Sequence, residues 1–187
     1  YLWIKRCDKK IEKINIPEYL SSNLTLLLKE LEIIRNKKFN EEELIRLFNK
    51  YGIYLVIEDA LNGTKIRGCT MVKNNNPCIY ITRYFKEKAS FYFTLYHEIG
   101  HIKSDYNKLK NKIMVNNEET SEKEMDNFAL NQMIPDNIWN NVKIDPLEKE
   151  KICKDNNIPL CFLYSRLAYE GIISYKSKEY NNHKEVI

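Results

Sequence analysis

His97-Glu98-Ile99-Gly100-His101, inside the apolar run 91–102, decides how the chain is read. On a helix, residues four apart share a face, so His97 and His101 can present two imidazoles to a single metal ion. Zinc accepts two neutral imidazoles and one carboxylate and keeps a fourth position for water. Glu98, beside them, can take a proton from that water and return it to a leaving amine. The chain holds only 3 His, and two of them flank a Glu on an apolar helix, a poor match to chance surface histidines.

Working outward, Phe91, Leu95, Ile99 and Ile102 form an apolar stripe at helical spacing, with Ser90 as an expected cap. The histidines lie off the centre of that stripe, so the helix can anchor itself on the core and still show them to a cleft. Gly100 costs a helix about 1 kcal/mol relative to Ala, which points to a close backbone approach or, as the alternative, to a nearby helix end. Residues 104–117 are polar and rich in Lys and Asn, and are expected as a long surface loop. A second helix follows from Glu118, with Met125, Phe128, Ala129, Gln132 and Met133 on its inner face.

The third ligand must come from elsewhere than the His pair, and Glu118, Glu119, Glu122 and Glu124 compete for that role. At about 100° per residue around Met125, Glu119 and Glu124 are poorly aimed, whereas Glu118 and Glu122 both lie near the inner face. A capping box of Ser121 and Glu124 would start the helix after Glu118 and leave Glu122 in the first turn. Asp126, one turn after Glu122, is suited to accept the free N–H of a metal-bound imidazole.

Upstream, residues 1–20 are basic and without a clear period, and no chemistry is assigned to them. Ser21, Ser22 and Asn23 offer cap oxygens to a helix carrying Leu24, Leu27, Leu28 and Leu31. Asn40 and Glu43 resemble a capping box before Leu44, Leu47 and Phe48, and Gly52 ends that helix. The pattern then turns extended. Ile53-Tyr54-Leu55-Val56-Ile57, residues 66–72, and Cys78-Ile79-Tyr80-Ile81-Thr82 are separated by the turn signals Asn62-Gly63 and Asn74-Asn75-Asn76-Pro77. Three strands in hairpin order predict a small antiparallel sheet packed on helices, hence an α+β fold. If Cys78, Ile79, Tyr80 and Ile81 form an edge strand near the metal, their free backbone groups can pair with an extended peptide; a solvated or covered edge is the alternative. Cys69 and Cys78 could face each other across the hairpin as buried thiols.

Beyond Pro135, Asp145-Pro146-Leu147-Glu148 combines an N-cap, a Pro at the first helical position and a capping-box Glu, so a helix is expected to start there. Pro159 opens another, with Leu160, Leu163, Tyr164 and Leu167 on one face and Gly171 at its end. This pair mimics a helix-turn-helix, but a DNA-reading second helix would be more basic. The tail from Tyr175, with His183, is expected to be either disordered or a packing arm.

The 187 residues, 43% of them hydrophobic, suit one globular domain, and a net charge of +4 from 30 basic and 26 acidic residues is too small to argue by itself for nucleic-acid binding, so direct binding by this segment is not expected. Five cysteines without C-x-x-C spacing argue against a disulfide framework or a cysteine metal site and fit a reducing cytoplasm. No run of roughly 18 apolar residues suggests a membrane span. The chain begins at Tyr1 rather than Met, so an upstream segment is expected.

Taken together, Thr94-Leu95-Tyr96-His97-Glu98-Ile99-Gly100-His101, then Glu122-x-Glu124-Met125-Asp126-x-Phe128-Ala129 and Met133-Ile134-Pro135, resemble the ImmA/IrrE family of zinc metallo-endopeptidases. Gly68 and Cys78-Ile79-Tyr80-Ile81 are similar to the sheet that precedes the first motif in that family. Departures are Tyr96 where Ala is usual, Met125-Asp126 where Ala-Asn is usual, and Met133-Ile134-Pro135 in place of Leu-Leu-Met-Pro. The resemblance implies a zincin-like core over residues 21–135 with a helical extension over 136–174. One zinc per chain would be held by His97, His101 and Glu122, the family's second-motif spacing agreeing with the last, with Glu98 as base. It also implies a regulatory protein substrate, a helix-turn-helix repressor, and a DNA-binding domain upstream of residue 1. The competing expectations are a metal-stabilised sensor or binding module and a transcription regulator with little hydrolysis.

Overall fold

The periodic stripes fold, in a computed structural model that describes residues 2–111 and 119–187, into an α+β architecture that is mostly helical. In chain order the elements are α1 (Leu2–Ile11), α2 (Leu24–Ile34), α3 (Glu41–Lys50), β1 (Tyr54–Ile57), β2 (Gly68–Lys73), β3 (Asn76–Ile81), α4 (Lys88–Asn111) and α5 (Glu119–Met133). The C-terminal part adds α6 (Asp136–Ile144), α7 (Lys149–Asp155), α8 (Leu160–Tyr169) and α9 (Lys178–His183). No described helix is long and apolar enough to cross a membrane.

The sheet corrects the antiparallel expectation. Its order is β1-β3-β2, with β3 antiparallel to β2 but parallel to β1. Asn74 and Asn75 take φ of 49° and 65°, the two left-handed positions of a tight hairpin turn, so β2 and β3 pair as a hairpin. β3 then inserts between β2 and β1. The physical reason is burial: every residue of β3 is buried, whereas every residue of β2 is only half-buried. A strand that must be covered on both faces takes the middle, and the half-buried one is left at the edge.

The two sheet faces feed two cores. Leu55, Ile57, Ile79 and Ile81 join the main core with α2, α3, α4 and α8, while Val56, Cys78 and Tyr80 point the other way onto Trp3, Cys7 and Ile11 of α1. Helix α1 was not expected from residues 1–20, although Trp3, Cys7 and Ile11 recur at i, i+4 and i+8; its lysines and arginine mask that stripe. Cys69 stands opposite Tyr80 and Cys78 opposite Met71, so the two thiols do not face each other, and all five cysteines are free.

Local signals hold at several helix ends. Asn40 Oδ1 accepts from the Glu43 amide at 3.0 Å, and Gly52 takes φ 76° after α3. Others fail. Helix α4 starts at Lys88, before Ser90, and runs on to Asn111 where a loop was expected. It continues because Ile102, Asp105 and Leu109 keep a buried stripe while Lys103, Asn107, Lys108 and Lys110 are exposed; residues 112–117 of that expected loop lie outside the described residues. Helix α7 starts at Lys149, without a side-chain cap, rather than at Asp145. Ser177 caps α9, Tyr180 is buried, Lys88 pairs with Glu185, and Glu87 bridges to Val186, so the tail is a packing arm.

Candidate metal centre

Helices α4 and α5 lie close enough for their side chains to converge because Gly100 has no Cβ. A Cβ there would stand 2.7 Å from Met125 Sδ and 3.2 Å from Phe128 Cδ1. Through this close approach α4 sets His97 and His101 against Glu122 of α5. The two imidazole Nε2 atoms are 3.3 Å apart, and the Glu122 carboxylate oxygens lie 3.2 Å from His97 Nε2 and 3.5 Å from His101 Nε2. Atoms about 2.0–2.1 Å from a tetrahedral ion are about 3.3–3.4 Å from one another. The triangle therefore has the size of a ligand set, and these three residues could hold a metal ion. Glu122 Oε1 is also buried with no hydrogen-bond donor among the described residues, as a ligand oxygen would be without its ion.

Each imidazole is oriented from behind. Asp126 Oδ1 is 2.8 Å from His97 Nδ1, as its place one turn after Glu122 predicts. Asp105 Oδ2 stands 3.6 Å from His101 Nδ1, and its other oxygen accepts from Lys108 at 2.9 Å. A carboxylate facing Nδ1 keeps the proton there and leaves Nε2 with a lone pair for a metal. Sequence reading missed Asp105; the signal was an Asp four residues after His101, hidden by the loop expectation for residues 104–117. Burial, then the neighbouring His97 charge, holds His101 below its ordinary pKa, with Glu122 and Asp105 pulling the other way. That favours the neutral, ligating form.

Glu98 is buried at 6% exposure. Its Oε2 accepts from Thr70 Oγ1 of β2 at 2.7 Å. Gly68 makes room for it, since a Cβ at that position would meet Glu98 Oε1 at 2.7 Å and Thr94 Cγ2 at 3.1 Å. Burial pushes the Glu98 carboxyl up to about 7, the Thr70 hydrogen bond and the His97 charge oppose this, and the Glu122 charge adds to it. A carboxyl near 7 is suited to exchange protons at neutral pH.

Of the rival carboxylates, Glu124 is exposed and Glu118 lies outside the described residues. Helix α5 starts at Glu119, so Ser121 lies within it rather than before it, where the expected capping box with Glu124 would put it. Tyr96 is buried in the core beside Tyr92, away from the side chains that converge at the centre. Cys78, Ile79, Tyr80 and Ile81 do not form an edge: they belong to the central strand, fully buried and paired on both sides. The edge strand beside α4 is β2, which carries Thr70 and Gly68. Comparison of the chain with family profiles, curated proteins and solved structures gives no match, so the centre is read from its own geometry.

Proposed function

We propose that the protein is a zinc-dependent endopeptidase acting on an extended segment of a protein partner. The observation that carries this reading is the convergence of two oriented imidazoles and one carboxylate at ligand spacing, next to a buried Glu with a raised pKa. His97, His101 and Glu122 would hold the zinc ion, which would supply Lewis-acid polarisation of a water molecule and of the scissile carbonyl. Glu98 takes up the proton of the attacking water and delivers it to the leaving amine, so the proton is returned within one cycle. Asp126 and Asp105 hold the imidazoles in the ligating tautomer. The outer edge of β2, unpaired among the described residues, offers backbone donors and acceptors to an extended peptide, the role that sequence reading gave to Cys78, Ile79, Tyr80 and Ile81. From the family resemblance, the partner class is a DNA-binding repressor in a bacterial or mobile-element regulatory circuit, and the compartment is the cytoplasm.

A second reading is favoured by the burial of Glu98 and its bond to Thr70: a metal-stabilised binding or sensor module with little hydrolysis. One experiment separates the two. The zinc-loaded chain is incubated with DNA-binding regulators encoded by the neighbouring genes, and cleavage is compared with that by Glu98→Gln, which keeps the proposed metal ligands. Cleavage by the wild type and its loss in the variant support the peptidase. Zinc binding with no cleavage in either supports the module.

A further inference from the structure

A cavity of about 550 Å³ opens beside the candidate metal centre, with Phe93 and Thr94 of α4 on its lining, one helical turn before His97 and Glu98. Phe93, on its lining, has its ring 6.5 Å from that of His97. Thr94, the next residue, packs against the space over Gly68 that Glu98 also borders. The cavity thus begins one helical turn before the metal ligands. Leu130 and Met133 of α5 line it with apolar surface, and the C-terminal segment adds Tyr175 and Tyr180 as its outer wall.

Three large aromatic rings on this lining remain exposed: Phe85 at 45%, Tyr169 at 51% and Tyr175 at 52%. Exposed aromatics gathered on one concave surface mark a binding site more often than a solvated face. The charges are lopsided. Arg67 and Lys184 make no ion pair among the described residues, and Arg67 stacks on Phe85 at 4.8 Å. Arg166 is already committed to Glu170 and to the Ile134 carbonyl, and Glu87, the acid on the lining, accepts from the Tyr180 phenol.

We propose that this cavity receives a bulky apolar side chain of the peptide substrate, that Arg67 and Lys184 meet an acidic residue next to it, and that the C-terminal segment completes the pocket. The inference rests on the peptidase reading and names the substrate class of that site. The volume falls within the roughly 300–1,000 Å³ typical of ligand sites and leaves room for the residue beside the anchor.

The test uses the full chain in two forms. The zinc-loaded chain is given a mixture of random-sequence peptides, and the new termini are read by mass spectrometry. The zinc-free chain is titrated with the blocked tetrapeptides Ala-Phe-Glu-Ala and Ala-Ala-Glu-Ala and followed by NMR. Cuts are expected to show Phe, Tyr, Leu or Met enriched at one position, with Asp or Glu beside it. The Phe peptide is expected to bind about tenfold or more tightly than its Ala counterpart. Ser165→Trp, which fills the cavity, should remove both preferences; Tyr175→Ala, at an exposed rim position, should weaken them if the first variant does not fold. Arg67→Glu should remove the acidic preference alone. Cleavage without positional preference overturns the pocket and leaves the peptidase standing. Selective binding of the Phe peptide, lost in Ser165→Trp, with no cleavage anywhere, keeps the pocket and overturns the peptidase. Equal binding of the two peptides with no cleavage overturns both.

Discussion

Thr70 Oγ1 donates to Glu98 Oε2 across 2.7 Å, tying the edge strand of the sheet to the helix that carries both imidazoles. The bond satisfies a carboxylate that has almost no access to water. Thr70→Val keeps the shape and removes the donor, so it should cost about 1.5–3 kcal/mol, the range for a hydrogen bond to a charged group. Thermal unfolding is the check, with zinc stoichiometry expected to stay at one. An unchanged melting temperature would mean that the bond contributes nothing to the fold.

Glu122→Ala should weaken zinc binding by roughly a hundredfold or more while the fold is retained, since one of three protein ligands is lost. Glu124→Ala, at an exposed position on the same helix, should leave the affinity unchanged. Competition against a chromophoric chelator measures both. Equal affinities in the two variants would remove Glu122 from the ligand set.

Asp126→Asn and Asp105→Asn should each lower zinc affinity by about 10–100-fold, the usual effect of removing a carboxylate behind a ligating imidazole. The loss should be larger for Asp126, at 2.8 Å from its imidazole nitrogen, than for Asp105 at 3.6 Å. The same chelator competition orders them, and the reverse ranking would contradict the geometry.

Gly68→Ala should displace the Glu98 carboxylate, because the added Cβ would stand 2.7 Å from Oε1 and 3.1 Å from Thr94 Cγ2. Overpacking of this kind costs about 1–3 kcal/mol. Zinc should still bind, since none of its ligands moves directly. Urea unfolding together with metal analysis checks the prediction; wild-type stability would show that the strand yields more easily than the packing implies.

The thiols of Cys7, Cys69, Cys78 and Cys161 are pushed up to about 12 and that of Cys153 to about 11, burial being the largest cause in each. An unfolded chain ionises its cysteines near about 8.5. Above that pH the unfolded state releases protons that the folded state keeps, so this part of the stability is complete below about 8.5 and declines as pH rises toward the folded values. Iodoacetamide at about pH 8.5 should alkylate the native chain far more slowly than the urea-unfolded chain. Comparable rates would place the thiols in water.

The sequence by itself determined what depends on a few neighbouring residues. A four-residue spacing put His97 and His101 on one face, the Met125 stripe aimed Glu122 and Asp126 inward, and Asn40 and Gly52 marked the two ends of α3. These follow from helix geometry and backbone conformation, which are local. Tertiary structure alone decided which strand fills the middle of the sheet, that α1 covers its far face, and that Thr70 rather than solvent meets Glu98. It also decided that the tail walls a cavity beside His97. Alternation along a strand says which side chains must be buried but not which distant segment buries them. That choice is made by competition among strands and helices for the same apolar surface, and it is why the shared face of His97 and His101 and the inward aim of Glu122 could be read from the sequence while the surroundings of these residues could not.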